Sequence, residues 1–159
     1  MTNDRLKLVE RLQKNEITEY HVYSNIAGFI PDDENRAVLI KIAKQELDHY
    51  NAWKSISKKE IQPNKLRIFW YTLLGRLLGY TFVLKKMEGG EIHAAEHYRT
   101  IGEEFPIALK IAEEEVDHEQ KLISLLNEEK LNYIGSMVLG LNDALVELTG
   151  TIAGLTFAM

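Results

Sequence analysis

The sequence contains no cysteine among its 159 residues. This absence excludes a disulfide framework, a thiolate zinc site, an iron–sulfur centre and cysteine catalysis. Proline is scarce, with three residues, and no tract is of low complexity, so the composition is not that of a disordered chain. An excess of positive charge is also lacking, because 19 basic and 24 acidic residues give a net charge of −5, which argues against nucleic-acid binding. The charged N-terminus shows no signal-peptide pattern, so we expect this part of the protein in the cytoplasm.

Helical periodicity dominates the chain. Apolar residues recur at i, i+3, i+4 and i+7, whereas β-type alternation is absent. Helix breakers at 28–31, 63–64 and 102–106 separate four long helices, of which the third runs through Glu91 and the fourth ends towards Asn127. The pattern predicts an all-α fold, a four-helix bundle with a long crossover between helices 2 and 3.

The chain also repeats itself. IAKQELDH (42–49) and IAEEEVDH (111–118) agree at five of eight positions. EITEYHVY (16–23) and EIHAAEHY (91–98) agree at three of eight, including the glutamate and the tyrosine. Each half therefore reads as a helix with Glu-x6-Tyr followed by a helix with Glu-x-x-His.

These motifs predict a metal site. Glu16 and Glu46 are equally far from the turn at Pro31, and Glu91 and Glu115 are equally far from the turn between helices 3 and 4, so each pair lies at one height. Four glutamates in a bundle interior need countercharge, which two divalent metal ions supply. Oxygen-rich ligation with one imidazole per metal favours iron, with manganese as the alternative. The predicted ligands are Glu16, Glu46, His49, Glu91, Glu115 and His118.

Other polar residues near the motifs have two interpretations. Tyr23 and Tyr98 share a helical face with a motif glutamate and are either hydrogen-bond donors to the glutamates or core aromatics. Glu19 lies one turn from Glu16 and is either a fifth carboxylate ligand or part of a solvated face.

The positions next to the Glu-x-x-His motifs also carry polar side chains. Gln45 and Glu114 precede the motif glutamates, where they can orient an imidazole on the opposite helix. Asp48 and Asp117 point about 200° away from the motif glutamates, at 100° per residue, and are expected to face outward.

Over residues 5–127 the chain resembles the rubrerythrin branch of the ferritin-like superfamily. The resemblance implies that Glu46 and Glu115 bridge two irons and that Glu16 and Glu91 are terminal ligands, with the two histidines completing the set. Position 94 is alanine, where rubrerythrins carry a further glutamate, and Glu19 is the extra carboxylate instead. A rubredoxin domain is excluded because there is no cysteine to hold its iron.

The resemblance implies a non-haem di-iron protein that binds Fe(II) and oxidises it with O₂ or H₂O₂ in iron homeostasis or detoxification. One alternative is a rubrerythrin-type peroxidase that uses an external electron donor. Another is a non-catalytic iron-binding or sensor domain. A homodimer is the expected assembly.

The last 27 residues, 133–159, carry only two charges and are long enough to cross a bilayer. They resemble the first transmembrane helix of vacuolar iron transporters, where Asp143 would be an acidic residue on the iron pathway. We therefore expect a di-iron domain at 1–130 and, at 131–159, the start of a membrane domain that attaches the protein to a membrane and couples it to iron transport. The alternative is a further soluble helix that covers the bundle or mediates dimerisation.

A second apolar stretch covers residues 66–84 and has only two charges, Arg67 and Arg76. Leucines and aromatics form one helical face, and threonine, glycine and arginine lie opposite. This arrangement suits either a helix at a membrane interface or ordinary packing of the crossover or of a dimer face.

Overall fold

The computed structural model describes residues 3–87, 98, 101, 102 and 104–157. Helix α1 spans Asn3–Ala27, α2 spans Asp33–Ser57, α3 spans Lys65–Leu78 and α4 spans Pro106–Phe157. Residues 80–87 are also helical. No strand occurs within these ranges, so the predicted all-α class is confirmed for the described part of the chain.

Helices α1 and α2 form a hairpin. Asp32 caps the start of α2, since its carboxylate accepts a hydrogen bond from the backbone N–H of Asn35 at 2.8 Å. Apolar residues at helical spacing fill the space between the two helices, and the fully buried ones include Val22, Ile26, Leu39, Ile42 and Trp53. The hairpin sets the middle of α1 beside the second half of α2, where two of the predicted ligand motifs lie.

The segment that follows α2 is tied to α1 by buried polar contacts. Gln13 is fully buried; its amide nitrogen donates to the Lys59 carbonyl at 2.9 Å, and its oxygen accepts from the Ser57 hydroxyl at 2.6 Å. The backbone N–H of Asn64 donates to the Thr18 hydroxyl at 2.9 Å. These bonds fix where the chain leaves α2 and where α3 begins.

The sequence predicts one uninterrupted helix from residue 65 to about Gly102, and this is wrong at Gly79. Helix α3 ends at Leu78, Gly79 has a φ of 91°, and the helix resumes at residue 80. A positive φ is open to glycine because it lacks a Cβ atom. The apolar stretch 66–84 is therefore two helical pieces.

Helix α4 also differs from the prediction. The sequence predicts a bundle helix that ends near Asn127 and an additional C-terminal apolar helix, but residues 106–157 form one helix. The predicted break was wrong because the connecting residues 127–133, NEEKLNY, contain neither glycine nor proline. The chain divides into two compact units, Met1–Ile123 and Ser124–Met159.

The apolar segment at 133–159 was predicted to cross a membrane. In the ranges that the structure describes, no helix combines the length and the apolar character that a membrane crossing needs.

A core of apolar and aromatic side chains joins the start of α4 to the hairpin. Its buried members are Val9, Leu12, Trp53, Tyr98, Ala108, Ile111 and Ala112. Glu115 follows Ile111 and Ala112 by about one helical turn and so continues the same face of α4. This packing brings Glu115 against the motif residues of α1 and α2.

Candidate metal centre

Three helices bring four metal-ligating side chains to one point in the interior. Glu16 comes from α1, Glu46 and His49 come from α2, and Glu115 comes from α4. All four are buried, and one ligand atom of each lies within 4.8 Å of the others. This group can hold a metal ion.

The helical period selects which acidic residues enter the interior. Each Glu-x-x-His motif places both of its side chains on one helical face, because residues three apart are neighbours. The acidic residue before each histidine points away, and Asp48 and Asp117 are exposed as predicted.

The Nδ1 atom of His49 faces three carboxylates. It lies 3.1 Å from Glu115 Oε1, 3.6 Å from Glu16 Oε2 and 3.7 Å from Glu46 Oε2. These close approaches lack hydrogen-bond geometry, since Nδ1 has no hydrogen-bond partner within the described part of the chain. The four side chains therefore surround a common point rather than form a closed hydrogen-bond network.

His118 approaches the second oxygen of two of these carboxylates. Its Nδ1 atom is 3.0 Å from Glu46 Oε1 and 3.7 Å from Glu115 Oε2. The rings of His49 and His118 are stacked with centroids 5.6 Å apart. Glu46 and Glu115 therefore each direct one oxygen towards His49 and the other towards His118.

The carboxylate of Glu16 is held by two aromatic donors. Trp53 Nε1 donates to Glu16 Oε1 at 3.2 Å, and the Tyr98 hydroxyl donates to the same oxygen. The two rings stack with centroids 5.7 Å apart. Burial, and then the charge of Glu16, raise the pKa of Tyr98, which keeps its hydroxyl protonated as a donor. Because Oε1 is engaged in this way, Oε2 is the oxygen that faces His49.

Glu114 orients His49 from the opposite helix. The ring atom Nε2 donates to Glu114 Oε2 at 2.8 Å, which leaves Nδ1 towards the carboxylates. Burial alone would raise the pKa of Glu114, but the hydrogen bond and charge of His49, together with Lys110, outweigh burial and lower the pKa. The predicted role of Glu114 is thus confirmed. The matching prediction for Gln45 is not, because its side-chain oxygen is buried with no hydrogen-bond partner among the described residues.

The electrostatics of the cluster follow from burial and mutual repulsion. Burial, and then the charge of Glu115, raise the pKa of Glu46 well above its ordinary value. Burial alone would lower the pKa of His49, but the carboxylates of Glu115, Glu16 and Glu46 outweigh burial and raise it. Burial likewise opposes ionisation of Glu115, yet the two imidazoles hold its pKa at about 2. In the metal-free site, the raised pKa values favour a neutral Glu46 and a positively charged His49, which reduces the repulsion among the carboxylates.

The unsatisfied ligand atoms show that a cation fits this site. Within the described residues, six buried atoms of the cluster have no hydrogen-bond partner: both oxygens of Glu46, Glu115 Oε1, His49 Nδ1 and both ring nitrogens of His118. Each such atom costs about 1–3 kcal/mol when left unpaired. A divalent cation that accepts oxygen and imidazole ligands satisfies atoms of this kind together.

Glu19, Tyr23 and Asp143 are not members of the four-residue group. Glu19 is 14% exposed at its side chain and pairs with Arg67 of α3 at 3.2 Å. Tyr23 is fully buried in α1. Asp143 is exposed and belongs to the unit of residues 124–159. Glu91 lies outside the described residues.

Trp53 is a partner of the site that was not predicted from the sequence. Trp53 follows Glu46 by seven residues and His49 by four, so it shares their helical face. That spacing is the signal that could have found it. A tryptophan at such a position is usually interpreted as a residue of the hydrophobic core. Its indole N–H is the group that makes it a partner of Glu16.

Comparisons with models of known protein families, with curated proteins and with solved structures give no match for this chain.

Proposed function

We propose that the chain binds two Fe(II) ions in the buried Glu/His cluster and oxidises them with O₂ or peroxide, in iron homeostasis or detoxification. The observation that carries this proposal is the position of Glu46 and Glu115, each of which directs one oxygen to His49 and the other to His118. A carboxylate placed in this way can bridge two metal ions.

The distances support a pair of ions rather than one. His49 and His118 approach different oxygens of the Glu46 and Glu115 carboxylates, and each has a ring nitrogen within 3.7 Å of both carboxylates. One imidazole is therefore available for each ion. Glu16 Oε2 faces His49 and is available as a ligand to the ion on that side. The repeat in the sequence assigns Glu91 to the His118 side, on the third predicted helix of a ferritin-like bundle with a crossover.

The donor set favours iron, with manganese as the other candidate. Carboxylates outnumber imidazoles, and thiolates are absent because the chain has no cysteine. Structural zinc sites prefer thiolate and imidazole, whereas carboxylate pairs with Glu-x-x-His motifs in a bundle core are typical of di-iron and di-manganese proteins.

A pair of ferrous ions supplies two electrons to an oxidant when bound. The residues of the chain position the ligands for that chemistry. Trp53 and Tyr98 hold Glu16, and Glu114 holds His49, so three groups outside the ligand set fix two of the ligands. Protons held on Glu46 and His49 leave as metal binds, because ligand atoms must be unprotonated.

A peroxidase is the second candidate function. The absence of cysteine favours a version that takes electrons from a separate protein, because this chain cannot hold a rubredoxin iron. Attachment to a membrane and coupling to iron transport remain predictions from the sequence resemblance.

Stopped-flow mixing tests the proposed reaction. We expect that protein loaded anaerobically with Fe(II) oxidises its iron rapidly when mixed with O₂ alone, as followed by ferric absorbance. The E46Q variant should lose this rapid phase, because it removes one bridging carboxylate, whereas D48N should retain it, because Asp48 is exposed on the same helix.

Three results would count against oxidation of Fe(II) as the function. The first is a wild-type protein that oxidises iron no faster than free Fe(II) in buffer. The second is a rapid phase that persists unchanged in E46Q. The third is turnover that requires both peroxide and an added electron donor, which would favour the peroxidase.

A further inference from the structure

Positive charge is concentrated in residues 65–87. This range contains five basic residues and no acidic residue, although the whole chain has a net charge of −5. The basic residues are Lys65, Arg67, Arg76, Lys85 and Lys86. All but Arg67 are exposed.

Helix α3 packs its polar and small face against α1. Thr72 accepts a hydrogen bond from the Asn25 side chain at 3.1 Å. Gly75 is buried so closely against Phe29 that a Cβ atom would lie 2.9 Å from the ring. The guanidinium of Arg76 lies over the same ring, 5.8 Å from its centroid.

The apolar face of α3 points away from the protein instead. Leu66, Phe69, Trp70 and Leu77 are 67%, 57%, 52% and 71% exposed. Their spacing of i, i+3, i+4 and i+11 places them along one side of the helix. An amphipathic helix of a soluble domain normally buries its apolar side. Helix α3 instead leaves its apolar side exposed and packs its polar side against the protein.

We propose that this face of α3, defined by Leu66, Phe69, Trp70 and Leu77, docks on the surface of an anionic lipid bilayer. An exposed apolar face with aromatics and leucines, flanked by lysine and arginine, is the pattern of helices that lie in the membrane interface. Each exposed basic residue near an anionic surface adds to the attraction. The proposal does not depend on the metal centre.

The charge pattern favours a lipid surface over a second copy of the chain. A symmetric dimer through α3 would bring two copies of the same basic segment together, because each subunit uses the same patch. Like charges would then oppose the association, whereas anionic headgroups attract the four exposed basic residues.

The chain has two tryptophans, and their burial gives a local probe. Trp70 lies on the proposed surface, whereas Trp53 is fully buried beside Glu16. Lipids brominated in their acyl chains quench only indoles that enter the bilayer. We expect vesicles of brominated phosphatidylcholine with phosphatidylglycerol to quench and blue-shift the Trp70 emission of the full chain, and W70F to lose this quenching. Vesicles without phosphatidylglycerol should bind at least roughly tenfold more weakly, and salt should reduce the difference.

A pair of matched variants separates docking through α3 from binding elsewhere on the chain. F69Q/L77Q removes two members of the face and should weaken the quenching-based affinity roughly tenfold or more. L109Q/V116Q removes two exposed apolar residues of α4 and should leave it unchanged. The proposal is overturned if anionic vesicles do not quench Trp70, or if both double variants bind equally well. It is also overturned if sedimentation without lipid shows a dimer that only F69Q/L77Q abolishes.

Discussion

Replacing Glu46 by glutamine is expected to stabilise the metal-free protein by about 2 kcal/mol at neutral pH, while it weakens metal binding at least roughly 100-fold. Glu46 is fully buried beside other carboxylates, and burial followed by repulsion from Glu115 raises its pKa. The neutral form is therefore the favoured one, and glutamine is its permanent mimic. The same change removes a ligand oxygen. Urea unfolding of the metal-free protein and an anaerobic Fe(II) titration measure the two effects.

The stabilisation by E46Q should depend on pH in a defined direction. A carboxyl whose pKa is raised in the folded state contributes its stability below its unfolded pKa, here about 4.5, and loses that contribution as pH rises. The advantage of E46Q should thus be absent below about pH 4.5 and grow towards neutral pH. D48N is the matched control, because Asp48 is exposed on the same helix and should change stability by less than about 0.5 kcal/mol. An E46Q variant less stable than the wild type at pH 7 would contradict this interpretation of the pKa.

Loading with Fe(II) under anaerobic conditions is expected to stabilise the wild-type protein by about 3 kcal/mol for each bound ion at a free metal concentration 100 times its dissociation constant. For a chain of this size, that corresponds to a rise in melting temperature of roughly 6–12 °C per ion. The gain arises because metal binds only the folded cluster and replaces the protons on Glu46 and His49. Differential scanning calorimetry with and without Fe(II) measures it.

The E115Q variant should show almost no metal-induced rise in melting temperature. Glu115 keeps its negative charge in the metal-free site, with a pKa of about 2, and faces both imidazoles. Glutamine at this position removes charge from both proposed ions. D117N is the matched control, since Asp117 is exposed two residues further along α4 and should keep the full rise. An equal rise in both variants would place the bound metal elsewhere.

The paired helices of the fold could be predicted because their signals are local. Asp32 caps α2, and the apolar period of α1 and α2 matches their buried faces. The two errors concern where helices end. Gly79 breaks a helix inside an apolar stretch that otherwise looks continuous, and the absence of glycine or proline at 127–133 lets α4 run on. Whether a glycine adopts a positive φ depends on the packing of its neighbours, which the sequence alone does not show.

The candidate site could be predicted in part for a similar reason. The i, i+3 spacing of each Glu-x-x-His motif placed its residues on one face without knowledge of the tertiary structure. The partners of Glu16 and Glu19 depend on contacts between distant segments. Trp53 supports Glu16 across the hairpin, and Arg67 of α3 pairs with Glu19, so neither contact has a local signature.

The most direct test of the metal centre is the iron content of the chain after anaerobic loading with Fe(II) and removal of unbound metal by desalting. We predict two iron ions per chain for the wild type and for D48N, and loss of at least one ion in E46Q. A wild-type chain that retains no iron, or an E46Q variant that retains as much as the wild type, would contradict the assignment of the buried Glu/His cluster as a metal centre.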